Sequence, residues 1–476
     1  MNTRPNILVL VLDSMRADHV GAYGYERDTT PNIDKLAAEG CVFENAITPA
    51  PFSPAAYASL ISNLYPHQHG VNGDTVRVWP NTWPRLPEKM RECGYYTFGI
   101  SNNAFVTRTM NGQGGFDDFI DMRDPSWFEK QQNRVIRRVR RHLGDAAAKK
   151  LSTNRLHCSV KGDSEHSIEH TLRFIDGSTK PFFGFVILMD PHTPYNQLRT
   201  HFVRDHAAAR RFFARSNDRT MWAELMADRA MLSAEDAAVV CDLYDSEIRY
   251  SDAWVGRLVD SLDRAGKLDD TIVVITADHG EAFGEKGVWG HGFSLHDYLT
   301  RVPLIVRHPQ LFEAGKRFTG LVQFHDIHEL CLGVAQEKGP DCASYPNCLA
   351  RVGDPDWPGR AAAFSEFPRQ SKTLEFMRER NPSLDPGVWD HGMWAIRTID
   401  WRYIWYENGA CELYHLQSDP NETTSVHGQY PEIVADLHAR LEAHRADRAA
   451  PEITSGTADD VEDSVSERLR ALGYID

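Results

Sequence analysis

Two short runs constrain the fold more than any other part of the chain. Asn6–Leu12 reads NILVLVL and Thr271–Thr276 reads TIVVIT. Neither alternates apolar with polar residues, as a strand with one wet face would. Unbroken β-branched runs of this length suit strands buried on both faces, as in a parallel sheet covered by helices. Each run ends abruptly in residues that carry chemistry. Asp13 follows the first; Ala277-Asp278-His279-Gly280 follows the second. Ligands of an open parallel sheet gather beyond the carboxyl ends of its strands. Hard carboxylate oxygens beside an imidazole make a divalent-metal corner, so Asp13, Asp278 and His279 are expected to meet in one site.

The remaining pattern agrees with that class. Val42–Ile47, Tyr95–Ser101, Phe182–Met189 and Val302–Val306 read as further strands. Thr30 is expected to cap a helix that has Pro31 at its first position and stops at Gly40. A short helix is expected from Pro54 to about Asn63. A long amphipathic one follows Ser233 to about Ala265, with Val239, Val240, Leu243, Tyr244, Ile248 and Trp254 on one face. Strands alternating with helices give an α/β three-layer sandwich around a large, mostly parallel central sheet. From about residue 360 the pattern changes to short strands, Ala361–Phe364, Met393–Arg397, Trp401–Tyr406 and Glu412–Leu416, then a helix over Glu432–His444. This divides the chain into an α/β domain over 1–358 and a C-terminal α+β subdomain with an antiparallel sheet over 359–476. Residues 123–170 read as an insertion, whose basic stretch Arg134–Lys150 reads as a solvated helix.

Charge and cysteine usage narrow the function classes. With 52 basic and 67 acidic side chains among 476 residues the net charge is −15, which argues against a nucleic-acid-gripping role. An anionic substrate remains compatible, because a bound metal inverts the local charge. The first apolar run is too short for a signal peptide or a membrane span. The eight cysteines are scattered without a CxxC pair, the pattern of reduced thiols. The expected compartment is the cytoplasm, with neither membrane nor nucleic acid as partner.

The opening segment, RPNILVLVLDSMRADHVGAYGYERDTTPNIDKLAAEGCVFENAIT, resembles that of sulfatases and their alkaline-phosphatase superfamily relatives. The likeness continues through Ala58-Ser59-Leu60, Tyr65–Gly70, Ala277–Glu281, Val302-Pro303-Leu304, Glu412-Leu413-Tyr414, Asp419–Glu422 and the closing Arg468–Ile475. It implies an alkaline-phosphatase-like fold and one divalent ion (Ca, Mg, Mn or Zn) beside a nucleophile at a helix N-terminus. Such a site transfers a sulfuryl or phosphoryl group from a small anionic ester. Carried over residue by residue, Asp13, Asp278, His279 and Ser53 are the metal ligands. Ser53 is also the nucleophile, and His192 the acid on the leaving-group side. His291, Asn72, Asn102 and Arg16 are expected to contact substrate, with Arg16 alternatively bracing Asp13. Asp190, His192 and His291 together could hold a second metal.

The departures from that pattern decide between activities. Sulfatases carry a cysteine, less often a serine, that is oxidised to formylglycine by a maturation enzyme, and an arginine four residues later. Here the positions hold Ser53 and Tyr57. Asp13 is followed by Ser14 where a second aspartate is usual. Asn102-Asn103 stand in place of a Lys and a His, and His291 in place of a later Lys. These changes remove cations from the site. A serine beside a metal is a competent nucleophile without modification. The sequence therefore points to cleavage of phosphate or phosphonate esters by Ser53. The alternatives are a sulfate-ester hydrolase whose Ser53 has become formylglycine within Ser53-Pro54-Ala55, and a catalytically degraded binding or transfer protein.

Overall fold

The computed structural model describes residues 4–72, 78–122, 164–195, 199–216, 232–336, 349–354, 356–380 and 389–447. The basic stretch Arg134–Lys150 lies outside them. The strands are β1 (Asn6–Leu12), β2 (Cys41–Ile47), β3 (Tyr96–Ser101), β4 (Asp118–Asp121), β5 (Phe182–Leu188), β6 (Thr271–Thr276), β7 (Ala282–Phe283), β8 (Trp289–Gly290), β9 (Arg301–Val302), β10 (Leu304–Arg307) and β11 (Lys316–Gln323). Nine of them make one sheet in the order β11-β2-β10-β6-β1-β5-β3-β4, with β9 on β2. β7 and β8 form a separate hairpin.

The continuous apolar runs lie where their composition requires. β1 sits mid-sheet, parallel to β5 on one side and β6 on the other. Every residue of β5 and β6 is buried, as is all of β1 after Asn6. The single segment expected at Val302–Val306 is split. Pro303 has no N–H for a ladder, so Val302 pairs with β2, and Leu304 onward pairs antiparallel with β6. That makes the sheet mixed rather than purely parallel. The long helix runs Ala234–Arg264, and the Ser233 side chain accepts from the Asp236 N–H. Thr30 does not cap its helix through its side chain. Its hydroxyl accepts from the Gly21 N–H and donates to Asp34 instead.

A second, antiparallel sheet is built from β12 (Ala363–Phe367), β13 (Met393–Arg397), β14 (Trp401–Tyr406) and β15 (Cys411–His415), in that order. Its first strand starts two residues later than its pattern suggested. The Pro431–Ala446 helix packs on it through Leu437 and Leu441, against Ile396, Tyr403 and Leu413. No described helix is long and apolar enough to cross a membrane. Among the described residues, Cys41, Cys93, Cys241 and Cys411 are in no disulfide.

Arg402 on β14 ties the antiparallel sheet to the segment 295–300 that leads into β9. Fully buried, it donates to the Leu295 carbonyl at 2.7 Å and to Thr300 Oγ1 at 3.0 Å, and pairs with Asp297 and Glu422. Removing one member of a buried ion network strands the others in low dielectric. Arg402→Ala should therefore cost about 3–5 kcal/mol. A loss of that size in the unfolding free energy from urea titration checks this; a change within a few tenths of a kcal/mol would show that Arg402 is not a tie.

Candidate active site

Strand register assembles the site. β1 and β6 pair with Val11 beside Thr276, and two residues further along each chain come Asp13 and Asp278. Parallel pairing thus delivers two carboxylates to neighbouring positions at one sheet edge, both fully buried. Ser14 turns the chain immediately afterwards with φ 64°, a left-handed conformation that costs a non-glycine residue about 1 kcal/mol or more. The turn is functional in layout. The Ser14 N–H donates to Asp278 Oδ1 at 3.0 Å, and its hydroxyl donates to Asp13 Oδ1 at 3.0 Å.

His279 follows Asp278, and its Nδ1 lies 2.7 Å from the Gly280 carbonyl. A carbonyl only accepts, so Nδ1 carries the hydrogen and Nε2 presents its lone pair to the site. Glycine is required at 280: a Cβ there would lie 2.0 Å from the Tyr298 carbonyl oxygen. Ser53 heads the Ser53–Ser62 helix, with Pro54 in its first turn. Its Oγ is 3.1 Å from His279 Nε2 and 3.3 Å from Asp13 Oδ2. The hydroxyl thus stands at a positive helix end among the three groups expected to hold a metal.

Asp13, Asp278 and His279 bring one ligand atom each to within 4.8 Å of one another. The polar environment also fits an ion. Asp278 Oδ2 is buried and accepts no hydrogen bond, whereas Asp13 is surrounded by donors. Tyr57 OH donates to Asp13 Oδ2 at 3.0 Å and Asn103 Nδ2 donates to it at 2.8 Å. Burial pushes the Asp13 pKa up, but the His192, His279 and His291 rings and the Asn103 hydrogen bond outweigh it and leave the carboxyl below its usual range. Burial and the neighbouring Asp13 charge push Asp278 well above that range. Burial drives His279 down to about 3, so it is neutral. Burial also disfavours charge on His291, but Glu281, 3.1 Å from its Nδ1, outweighs this and raises it. His291 lies between Gly290 and Gly292, both at positive φ, and its ring centroid is 4.5 Å from that of His279 and 4.9 Å from that of His192.

Several expected roles move to other residues. Arg16 neither braces Asp13 nor turns to the site. Its guanidinium is taken by Asp18, Glu285 and the Glu281 carbonyl, because the left-handed turn at Ser14 redirects the chain. Asn102 donates to Ser167 Oγ at 3.3 Å, and it is its neighbour Asn103 that donates to Asp13. Asp190 supplies no ligand to a second ion shared with His192 and His291. Its carboxylate is used by Ser164, Ser251 and Arg199, and among the described residues it makes no metal-sized cluster with His192 and His291. Asn72 is half-buried, next to residues outside the described set. Tyr57, Asn103, Ser14 and Glu281 were not foreseen as site residues. Ser14, Tyr57 and Asn103 each carried a signal as departures from the family pattern, and Tyr57 also lies four residues after Ser53 on the same helix face.

A proton on Asp278 must leave when a cation enters. Metal-free, the folded chain holds this proton above the pH at which an unfolded carboxyl loses it, so stability falls as pH rises toward the raised pKa. Metal removes that penalty. The gain in thermal midpoint on adding Mn²⁺ should therefore be larger at about pH 8 than at about pH 6, and absent in Asp278→Asn. An equal gain at both pH values would contradict the assigned protonation.

The comparisons with known proteins agree with this geometry. The family model described as "Sulfatase" matches residues 5–335. An arylsulfatase of Clostridium perfringens is 24% identical over 467 residues, covering 89% of this chain and 90% of its own. The N-acetylglucosamine-6-O-sulfatase of Bacteroides thetaiotaomicron is 24% identical over 490 residues, covering 90% and 83%. Among solved structures, the phosphonate monoester hydrolase of Agrobacterium radiobacter superposes with a TM-score of 0.68 at 21% identity, covering 94% of this chain and 96% of its own. With its alkaline-phosphatase-like sheet and its clustered carboxylates, the chain belongs to the sulfatase family of ester hydrolases.

Proposed function

We propose that this enzyme hydrolyses phosphodiesters or phosphonate monoesters, with Ser53 as an unmodified nucleophile. The observation that carries the reading is the position of the Ser53 hydroxyl, 3.1 Å from the lone-pair nitrogen of a neutral His279 and 3.3 Å from Asp13. The electrostatic balance supports it. A divalent ion offset by two carboxylates leaves little net charge, and the donors beside it, Tyr57 and Asn103, are neutral. Such a site suits a singly charged ester better than a doubly charged phosphate monoester. An imidazole in the ligand set favours Mn²⁺ or Zn²⁺ over Ca²⁺.

When bound, the ion would lower the pKa of the Ser53 hydroxyl and screen charge on the nonbridging oxygens. Asp13, Asp278, His279 and Ser53 are the residues that would hold it. Ser53 Oγ, its proton released to solvent, then attacks phosphorus in line with the leaving alkoxide, whose P–O bond breaks, and the helix N-terminus favours the accumulating negative charge. His291, whose cationic form Glu281 favours, faces the nonbridging oxygens. His192, whose Nδ1 is turned to the Thr193 carbonyl, protonates the departing group from Nε2. Water then releases the phosphoryl or phosphonyl group from Ser53.

A second reading has its own support. Ser53-Pro54-Ala55 keeps the core of the sequence that sulfatases mature to formylglycine, and both curated relatives bear sulfatase names. The substrate would then be a small sulfate ester. Rates on aryl phosphodiesters, aryl phosphonate monoesters and aryl sulfates separate the two. The proposal expects kcat/KM on the phosphorus esters to exceed that on sulfates by about tenfold or more, and Ser53→Ala to lose roughly a thousandfold or more. Faster sulfate cleavage, or a Ser53→Ala variant with near-full activity, would overturn it.

A further inference from the structure

Away from the catalytic pair, three side chains from distant parts of the sequence converge. His67 belongs to the short Pro66–His69 helix, Glu366 to β12, and His444 to the last turn of the Pro431–Ala446 helix. His67 Nδ1 lies 2.8 Å, and His444 Nε2 2.9 Å, from the same oxygen, Glu366 Oε1. One ligand atom from each falls within 4.8 Å of the others. Glu366 is 2% exposed, and among the described residues no lysine or arginine pairs with it.

The orientation of His67 adds a second observation. Its Nε2 lies 2.9 Å from the backbone carbonyl of Asp447, which can only accept. Nε2 therefore carries the hydrogen in the neutral ring, and Nδ1 turns a lone pair toward a carboxylate oxygen. Two such atoms meet at this distance only through a shared cation, either a second ring proton or a metal ion. One ring nitrogen tied to a backbone carbonyl, with the other facing the cluster, is how metal-bound histidines are held. The rest of the cluster is fixed in place. The His67 N–H donates to Glu366 Oε2 at 2.8 Å. The Phe364 ring stacks on His444 at 4.0 Å and 7°, and Tyr65 meets His444 edge-on at 4.4 Å.

We propose that His67, Glu366 and His444 form a second metal site, selective for zinc, that clasps the C-terminal helix to the segment following the nucleophile helix. Two imidazoles and one carboxylate are a zinc donor set, and the partly exposed rings leave the fourth position to solvent. The ion's role is structural. It joins α+β and α/β parts of the chain at a point remote in sequence from Asp13, Asp278 and His279, and it does not depend on which ester the enzyme cleaves.

Metal counting tests this on the full-length chain. After chelator stripping and dialysis against Zn²⁺, the protein should carry two ions by plasma mass spectrometry. His444→Gln, which keeps a polar group beside Glu366, should carry one and lose part of the zinc-dependent gain in thermal midpoint. Asp278→Asn should also carry one, and the double variant none. With Co²⁺ as probe, the visible absorption of a tetrahedral nitrogen–oxygen site should persist in Asp278→Asn and disappear when His444→Gln is added to it. His67→Gln serves as a second variant if His444→Gln does not fold. A folded His444→Gln or His67→Gln that still carries two ions would overturn the proposal. So would a wild-type chain whose only ion is lost in Asp278→Asn, which would make the cluster a proton-linked contact.

Discussion

Two aspartates placed side by side by parallel strand pairing, out of reach of water, organise this molecule. Asp13 and Asp278 end neighbouring central strands, so the register that buries the most apolar surface also forces like charges together. A buried carboxylate pair cannot ionise fully unless a cation joins it. The fold's answer is asymmetric. Asp13 collects donors from Ser14, Tyr57 and Asn103 and stays charged, while Asp278 retains one oxygen with no hydrogen-bond donor. The left-handed turn at Ser14, the glycine at 280 and the helix beginning at Ser53 all serve that arrangement.

The chemistry around the pair is notable for what supplies the donors. Where many relatives of this family place fixed cations, this chain places a phenol and an amide. Arg16, the nearest arginine in sequence, is committed to Asp18 and Glu285. Beside the site, the ring whose cationic form is favoured is His291, through Glu281. Unlike lysine or arginine, a histidine can gain or lose its charge with pH.

Much of this was legible because backbone physics dominates it. The runs ending at Asp13 and Asp278 could only be buried strands, and their ends had to lie at one sheet edge. Ser53 was placed by the proline that follows it and by the family resemblance. What escaped was set by local contacts. The Asn103 N–H bonds to Ser101 Oγ, a side-chain turn that sends Asn103 rather than Asn102 to Asp13. Asp190 is taken up by Ser164, Ser251 and Arg199, and Arg16 by Asp18 and Glu285. Pro303 divides one apolar run between two partner strands. Each depends on a side-chain contact or a missing backbone N–H, neither of which leaves a periodic trace in sequence.

The central claim is that Ser53 itself, unmodified, is the attacking group beside a metal held by Asp13, Asp278 and His279. The mass of the tryptic peptide Leu36–Arg77, taken from protein made in its native host, tests it most directly. An intact serine at position 53 is the expected result. A peptide lighter by two hydrogens, with the loss located at Ser53, would mean formylglycine and would contradict the claim in favour of sulfate-ester hydrolysis.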